Sequence, residues 1–149
     1  MPRIERVAEA VWQGRSASGS GVISGRSSGA FDLAYSEPTR IADPAGQTSP
    51  EELVAAAHAG CFAMSLAAEL SGMKLEPSRL SVTATCVMDD VEGKGHLVVA
   101  SNLDVQADVP GADPDVFHAA VERADAGCPI STLIRASAAV SVTAQLLSV

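Results

Sequence analysis

Alternating apolar and polar residues mark the N-terminal part of the chain as a region of β-strands. β-branched or alternating positions fill residues 4–13 and 20–24, and the Gly/Ser-rich segment GRSASGSG separates them. This pattern predicts a hairpin, followed by a third strand near Phe31–Tyr35. Residues 36–50 carry three prolines and few apolar side chains, so we expect an extended, exposed loop that contains Arg40.

A nearly continuous apolar stretch over residues 53–70 follows and predicts a long helix. Ser49 has the position of an N-cap, and Pro50 that of the first helical residue. Glu52 lies three residues after Ser49, as in a capping box. We therefore predict a helix that begins at Pro50.

The length of this helix is close to that of a membrane span, but its composition argues against one. The helix is expected to run to about Ser71, before Gly72 as a C-terminal stop. It includes seven alanines together with His58, Ser65 and Glu69, which make it only weakly hydrophobic for insertion into a bilayer. We predict a helix buried in the core of a soluble protein.

Regular alternation returns after this helix. The segments LSVTATCVMDDV and HLVVASNLDVQADV flank the turn EGKG, which predicts a long β-hairpin. Asp113 and Pro114 have the positions of the N-cap and first residue of a second helix, which runs to about Ala126 and stops at Gly127. A short third helix, CPISTLIRA, and a closing strand, AAVSVTAQLLS, complete the chain.

Three strands followed by helices interleaved with a hairpin are typical of an α+β fold. The predicted order is β-β-β-α-β-β-α-α-β, and we interpret it as a single domain, residues 1–149. We expect an antiparallel sheet of about six strands packed on the long, buried central helix. One sheet covers only one face of a helix that is apolar on every side. We therefore predict an intertwined homodimer, with Gly60 allowing the two long helices to approach closely.

Composition and charge exclude several function classes. The 149-residue chain is 47% hydrophobic, and its net charge is −8. Its ten basic residues are scattered, so we expect neither nucleic acid nor an anionic membrane as a partner. The N-terminal segment MPRIERVAEAVWQG has neither the apolar core nor the cleavage site of a signal peptide. We expect a cytoplasmic protein.

Cys61 and Cys128 are the first candidates for chemistry. Their separation of 67 residues (128 minus 61) excludes a local CxxC hairpin, and a purely structural disulfide is not expected in a cytoplasmic protein. Cys61 lies about twelve residues into its helix, beyond the reach of the helix dipole, and burial would raise the pKa of its thiol. A nucleophilic Cys61 therefore needs a cation from another segment, and Arg40 is the best candidate.

Glu51 is placed to orient Arg40 through a carboxylate–guanidinium pair. Ten helical residues, or about 15 Å, separate Glu51 from Cys61, so the carboxylate is too far to contact the sulfur within one chain. We hypothesise that each site draws residues from both subunits, or that the arginine spans the gap.

Other interpretations of these residues stay open at this point. Cys61 is equally well read as a small core hydrophobe, and Cys86, in an alternating strand, as a core residue. His58 has the pattern of a hydrogen-bonded core histidine. A zinc site built from His58, Cys61, Cys128 and His118 has one helical HxxC pair but lacks the paired short spacings of such sites.

The segment TSPEELVAAAHAGCFAMSL, followed much later by AGCPISTLIRA, resembles the OsmC/Ohr family of osmotically inducible and organic hydroperoxide resistance proteins. The resemblance spans essentially the whole chain and includes the xWxG segment at Val11–Gly14 and the VPG turn before the second helix. The chain is more similar to the OsmC branch, because PIS and LIRA follow Cys128 and Arg40 lies shortly before the PEEL helix. In the Ohr branch the arginine lies nearer the N-terminus, which makes Arg15 the alternative.

The resemblance implies a cysteine-based thiol peroxidase with active sites at the interface of an intertwined dimer. Cys61 would attack a hydroperoxide and form a sulfenic acid, and Cys128 would condense with it to an intramolecular disulfide. Arg40, held by Glu51, would stabilise the thiolate. The substrate would be an organic hydroperoxide and the reductant a dithiol such as that of a lipoyl protein, with no cofactor or metal. An apolar pocket for the alkyl group would be lined by Phe62, Met64, Leu133 and Ile134.

Two rival functions keep the same fold. One is a non-catalytic, ligand-binding member of the family, in which the cysteines only pack. The other is a thiol-based zinc or redox sensor, which would react once and stoichiometrically rather than turn over.

Overall fold

The computed structural model describes residues 1–148. These residues form six strands and four helices. The elements in chain order are β1 (Ala8–Gln13), β2 (Ser20–Gly25), β3 (Asp32–Tyr35), α1 (Glu37–Ile41), α2 (Pro50–Gly72), β4 (Arg79–Val91), β5 (Gly95–Asp108), α3 (Pro114–Gly127), α4 (Pro129–Arg135) and β6 (Ala139–Ser148). Two compact units, Met1–Leu53 and Val54–Val149, make up the chain. The α+β class and the number of strands are confirmed.

The strands form two sheets of three rather than the single sheet that the sequence predicted. In the first unit β1, β2 and β3 pair antiparallel in chain order. In the second unit β5 pairs antiparallel with β4 and parallel with β6. The expectation of a wholly antiparallel sheet is therefore wrong at β6. Residues 109–138, which contain α3 and α4, make the long crossover that a parallel pair requires.

The segment expected to be an extended loop contains the short helix α1. Ser36 caps it, because the Ser36 hydroxyl accepts a hydrogen bond from the Thr39 backbone N–H at 3.3 Å. Arg40 lies in the last turn of α1 rather than in irregular structure. After α1 the chain returns to form an isolated bridge between Thr48 and Tyr35. The capping serine was the overlooked signal for this helix.

The start of α2 is confirmed. Ser49 Oγ accepts the Glu52 backbone N–H at 3.1 Å, as an N-cap does. The reciprocal half of the capping box is replaced by another contact, because the Glu52 carboxylate accepts a hydrogen bond from Thr48 Oγ1 at 2.7 Å.

α2 ends one residue later than predicted, and the residue that terminates it lies two residues later. Gly72 is the last helical residue, and the left-handed residue that ends the helix is Lys74, with φ of 61°. The backbone N–H of Leu75 donates to Leu70 O at 2.9 Å, and that of Lys74 to Ser71 O at 3.0 Å. These two bonds form a Schellman motif.

α2 buries one face in the second unit. His58, Phe62, Leu66 and Leu70 recur every four residues and are buried, and they join the core with the inward residues of β5 and α3. The single chain leaves the opposite face uncovered, with Met64 76% exposed, and the cover of that face by a second copy stays a prediction. By length and composition alone, α2 is the one helix within residues 1–148 that could cross a membrane. Core helices of soluble proteins meet the same criterion.

α3 and α4 follow each other with one residue between them. Asp113 caps α3 by accepting the backbone N–H groups of Asp115 and Val116, as predicted. Cys128 is at once the C-cap of α3 and the N-cap of α4. The predicted short helix and closing strand are confirmed as α4 and β6.

Candidate active site

The two cysteines singled out in the sequence meet in the second unit. Cys61 lies in the middle of α2 and is partly buried, whereas Cys128 is fully buried. Their Sγ atoms are 3.3 Å apart, with both thiols free. A disulfide needs an S–S distance of about 2.0 Å, so a small movement of the side chains would join them.

Cys128 is the better placed of the two to carry a negative charge. Burial acts to raise the pKa of its thiol, but interactions with the Ser131 backbone, the Ser131 side chain, Cys61 and the Ile130 backbone together outweigh burial and lower this pKa. The Ser131 backbone N–H points at Cys128 Sγ from 3.5 Å. Ile130 and Ser131 lie in the first turn of α4, and a helix N-terminus lowers the pKa of a cysteine.

Cys61 has the opposite tendency. Burial raises the pKa of its thiol, the Ile130 backbone N–H partly opposes this, and the neighbouring Cys128 raises it further. The sequence prediction that burial would raise the Cys61 pKa is therefore confirmed. Since two thiolates in contact repel each other, the groups surrounding the pair in this unit favour charge on Cys128.

His58 connects three elements behind Cys128. The side chain is fully buried; its Nδ1 atom lies 2.6 Å from Ser101 Oγ on β5, and its Nε2 atom lies 2.8 Å from Ser131 Oγ on α4. Burial lowers the pKa of His58; the charge of Asp125 opposes this, and that of Arg135 adds to it. The interpretation of His58 as a hydrogen-bonded core histidine is confirmed. The two serines were not predicted.

The zinc interpretation has no support in the structure. Within residues 1–148 there is no group of three or more His, Cys, Asp or Glu side chains that could hold a metal ion. Both ring nitrogens of His58 are occupied by serine hydroxyls. His118 is exposed on α3, and His96 is exposed on β5.

Arg40 and Glu51 form the predicted ion pair within the first unit. Arg40 Nε lies 3.0 Å from both carboxylate oxygens of Glu51, and Arg40 Nη2 contacts Glu51 Oε1. The hydrogen bond from Arg40 lowers the pKa of Glu51, and the same bond raises that of Arg40. Arg15, the alternative arginine, lies exposed in the turn between β1 and β2.

The four residues expected to line an apolar pocket divide into two groups. Phe62 and Ile134 are buried at 0% and 8% exposure, and Phe62 belongs to the core. Met64 on α2 and Leu133 on α4 are 76% and 68% exposed. Only these last two present surface to which an alkyl group could bind, and the pocket remains a prediction.

The sequence matches the family model described as "OsmC-like protein" over residues 43–143. A curated protein, Peroxiredoxin OsmC of Escherichia coli (strain K12), is 34% identical over 133 residues, which cover 89% of this chain and 92% of that protein. The chain belongs to the OsmC family. Because this relative is a peroxiredoxin, the predicted enzyme class, thiol peroxidase, is confirmed.

Solved structures of the OsmC/Ohr fold agree with this assignment. An organic hydroperoxide resistance protein OsmC from Legionella pneumophila superposes with a TM-score of 0.76 at 23% identity, covering 98% of this chain and 100% of that one. OhrB of Bacillus subtilis, an organic hydroperoxide resistance protein, gives 0.74 at 23% identity, covering 93% and 98%. At these identities the likeness establishes the fold.

Proposed function

We propose that this OsmC-family chain reduces organic hydroperoxides to alcohols through a Cys61–Cys128 disulfide. The observation that carries the proposal is the 3.3 Å contact between the two free thiols. The two cysteines are 67 positions apart in the sequence but meet within one unit of the fold. Such a pair can be oxidised and reduced without rearrangement of the fold.

Cys61 is the proposed peroxidatic residue. Its thiolate attacks the terminal oxygen of the hydroperoxide, the O–O bond breaks, and the leaving alkoxide takes a proton to become the alcohol. Cys61 is left as a sulfenic acid. Cys128 then attacks that sulfur, the S–O bond breaks, and the hydroxide leaves as water. A dithiol reductant returns both thiols by exchange through a mixed disulfide.

The Cys61 thiolate requires a cation, because its surroundings in the second unit raise its pKa. We assign that role to Arg40, which the Glu51 carboxylate holds in a fixed orientation. Glu51 lies ten residues before Cys61 in α2, about 15 Å along a helix. The proposed site therefore takes the Arg40–Glu51 pair from the second subunit of a homodimer. Arg15 is the alternative cation.

Exposure on α2 supports this dimer. Opposite its buried face, α2 presents a second stripe of small or apolar residues that are exposed in the single chain. This stripe, here called the outer face of α2, consists of Ala57, Gly60, Met64 and Ala68. Apart from the local backbone of α2 and the neighbours of Gly60 in the chain, no described atom lies within 4 Å of a Cβ built at Gly60, so a second helix has room to approach. We propose that the outer faces of two copies pack together.

The class of substrate and the cellular location are proposed from the exposed side chains near the cysteines and from the related proteins. Met64 and Leu133 are exposed apolar side chains within three residues and five residues of Cys61 and Cys128 along the chain, which suits an alkyl hydroperoxide better than hydrogen peroxide. OhrB and the Legionella relative are named as organic hydroperoxide resistance proteins. We propose a cytoplasmic location, where dithiol reductants keep thiols reduced.

The deciding experiment measures turnover of cumene hydroperoxide and of hydrogen peroxide by the reduced protein, with dihydrolipoamide or dithiothreitol as reductant. We expect turnover of cumene hydroperoxide that is lost in Cys61→Ser. In Cys128→Ser we expect one equivalent of sulfenic acid on Cys61, captured by dimedone and located by mass spectrometry. Cys86→Ser is the matched control and should retain turnover.

Two results would contradict the proposal. Dimedone captured on Cys128 in Cys61→Ser, with none on Cys61 in Cys128→Ser, would reverse the roles of the two residues. No turnover with either reductant would contradict the proposed enzymatic activity. A single stoichiometric oxidation of the cysteines would then favour a redox sensor. Thiols that stay free after exposure to peroxide would favour a binding protein.

A further inference from the structure

His58 is a buried titratable side chain that the proposed reaction does not use. Both of its ring nitrogens hydrogen-bond to serine hydroxyls, at 2.6 Å from Ser101 and 2.8 Å from Ser131. All three residues are 0% exposed. Water therefore does not compete for these hydrogen bonds, and each proton must lie between two protein atoms.

Ser131 extends this network to the sulfur of Cys128. Its backbone N–H lies 3.5 Å from Cys128 Sγ, and its side chain also acts to lower the pKa of that thiol. A continuous series of contacts thus runs from β5 through α2 to α4. We call Ser101, His58 and Ser131 the serine–histidine relay.

The direction of the hydrogen bonds in the relay follows from elementary valence. A thiolate accepts hydrogen bonds only, so the Ser131 hydroxyl can stabilise the Cys128 thiolate only by directing its single proton at Cys128 Sγ. Ser131 Oγ must then accept from His58, which requires the neutral tautomer with the proton on Nε2. His58 Nδ1 is left as an acceptor for the Ser101 hydroxyl. In this arrangement every donor in the relay points toward Cys128.

We propose that the serine–histidine relay is a positioning device that holds Cys128 as a thiolate ready to attack oxidised Cys61. The proposal rests on the resolving role assigned to Cys128 above. Once Cys61 has become a neutral sulfenic acid, it no longer competes for the charge of the pair. The Cys128 thiolate attacks the Cys61 sulfur, the S–S bond forms, and the S–O bond breaks. The hydroxide takes a proton from solvent, and the Cys128 lone pair supplies the two electrons of the new bond.

The charged neighbours of the relay are compatible with a neutral His58. Asp125 on α3 and Arg135 on α4 act on the pKa of His58 in opposite directions, and burial lowers it. Arg135 forms an ion pair with Asp125, which balances the two charges. Among the groups that shift the pKa of Cys128, only Cys61 lies on α2. Its sulfenic acid is neutral, so the relay then acts without a competing charge.

The test measures the ionisation of Cys128 directly and needs no peroxide. Cys61→Ser with Cys86→Ser leaves Cys128 as the only thiol of a chain with three cysteines, and the neutral serine at 61 stands in for the sulfenic acid. The ultraviolet absorbance of the thiolate, followed against pH, gives the thiolate-to-thiol ratio. We expect Ser131→Ala, which keeps the backbone N–H, to lower this ratio about tenfold at neutral pH, as for one lost hydrogen bond to a charged group.

Substitutions at His58 separate positioning from packing. His58→Phe removes both hydrogen bonds and should also lower the ratio about tenfold. His58→Gln keeps an N–H that can donate to Ser131, so it should lower the ratio less than His58→Phe does. His96→Gln, on the exposed part of β5, is the matched control and should leave the ratio unchanged. Circular dichroism verifies that each variant folds. If His58→Phe does not fold, the result for Ser131→Ala tests the proposal.

An unchanged ratio in Ser131→Ala would overturn the proposal. So would equal ratios in His58→Gln and His58→Phe. A second measurement reads the tautomer: ¹⁵N chemical shifts of His58 in the same background, above the Cys128 titration, should show the proton on Nε2. A proton on Nδ1 would overturn the relay, because Ser131 would then have to donate to His58. An absence of peroxidase turnover would contradict the proposed function. The thiolate titration and the ¹⁵N measurement would still be interpretable, because neither uses peroxide.

Discussion

At the scale of single residues, the structure shows how similar side chains acquire different chemistry from their surroundings. Cys61 and Cys128 touch, but α4 donates hydrogen bonds to the sulfur of Cys128, whereas burial dominates at Cys61. The pKa values of the two thiols therefore move in opposite directions. In a pair of this kind the thiol with the lower pKa loses its proton first, and a nearby cation or hydrogen-bond donor decides which of the two that is.

The Arg40–Glu51 pair makes a prediction about stability against pH. The pKa of Glu51 is lowered in the folded protein, so the pair stabilises the protein above the ordinary pKa of a glutamate and ceases to do so as pH falls through the folded value. Glu51→Gln should reduce the free energy of unfolding by about 1 kcal/mol at pH 7, since Arg40 is partly exposed to solvent. Urea unfolding at pH 7 and pH 3 measures this difference.

The difference between wild type and Glu51→Gln should shrink as the pH is lowered from 7 to 3, because protonation of the wild-type carboxylate removes the charge that pairs with Arg40. Glu5→Gln is the control, because Glu5 pairs with Arg3 and both side chains are highly exposed; it should change stability little. A difference for Glu51→Gln that is the same at both pH values would mean that packing, and not charge, is responsible.

What the sequence predicted at this scale depended on the residue type. Cys61, Cys128, Arg40 and Glu51 each have an ordinary structural explanation, and they stood out because the family pattern contains them together. Ser101 and Ser131 gave no such signal. Serine is common on surfaces and in turns, and the contacts with His58 join residues 43 and 73 positions apart. Only the folded chain brings them together.

At the scale of elements, local signals were predicted and long-range pairing was not. The N-caps Ser49 and Asp113 identified the starts of α2 and α3, because a cap is a contact between residues two or three positions apart. The parallel partner of β6 was missed, since alternation predicts a strand and its faces but not its neighbour. α1 was missed because the prolines of its segment outweighed one capping serine.

Lys74 supplies a prediction about the end of α2. It has φ of 61°, a conformation that costs an L-residue about 1 kcal/mol and glycine almost nothing. Lys74→Gly should therefore raise the free energy of unfolding by about 0.5 to 1 kcal/mol, after the greater entropy of glycine in the unfolded chain is allowed for. Thermal or urea unfolding measures it.

Lys94→Gly is the matched control for this substitution. Lys94 lies in the turn between β4 and β5 but is not among the residues with positive φ. The same exchange there should lower stability slightly, because only the entropy term remains. If both variants lose stability, the left-handed conformation of Lys74 does not strain the protein in solution.

At the scale of the whole molecule, the amount of apolar surface that one chain leaves exposed is the main feature. The prediction that α2 would be covered on every side was made from its composition, which is apolar all round. The single chain covers one side. Composition predicts how much surface must be buried, but not whether the same chain or another copy buries it.

The outer face of α2 predicts an oligomeric state. Met64→Glu places a charge in the middle of this face, so it should convert a dimer into a monomer in light scattering during gel filtration. Val116→Glu is the control, because Val116 is an exposed apolar residue on α3; this variant should keep the mass of the wild type. A wild-type protein that is a monomer at micromolar concentration would contradict the proposed dimer and its shared sites.

The position of Cys128 between two helices has a further consequence, for the mobility of the backbone. Its sulfur caps α4 by accepting the Ser131 N–H at 3.5 Å, while its own N–H bonds to Asp125 O at the end of α3 at 3.3 Å. A disulfide sulfur is neutral and a weaker acceptor than a thiolate. Oxidation should therefore loosen the first turn of α4, and the Ser131 amide should exchange its hydrogen with solvent faster in the disulfide form than in the reduced form. Each catalytic cycle would then open and close one turn of helix.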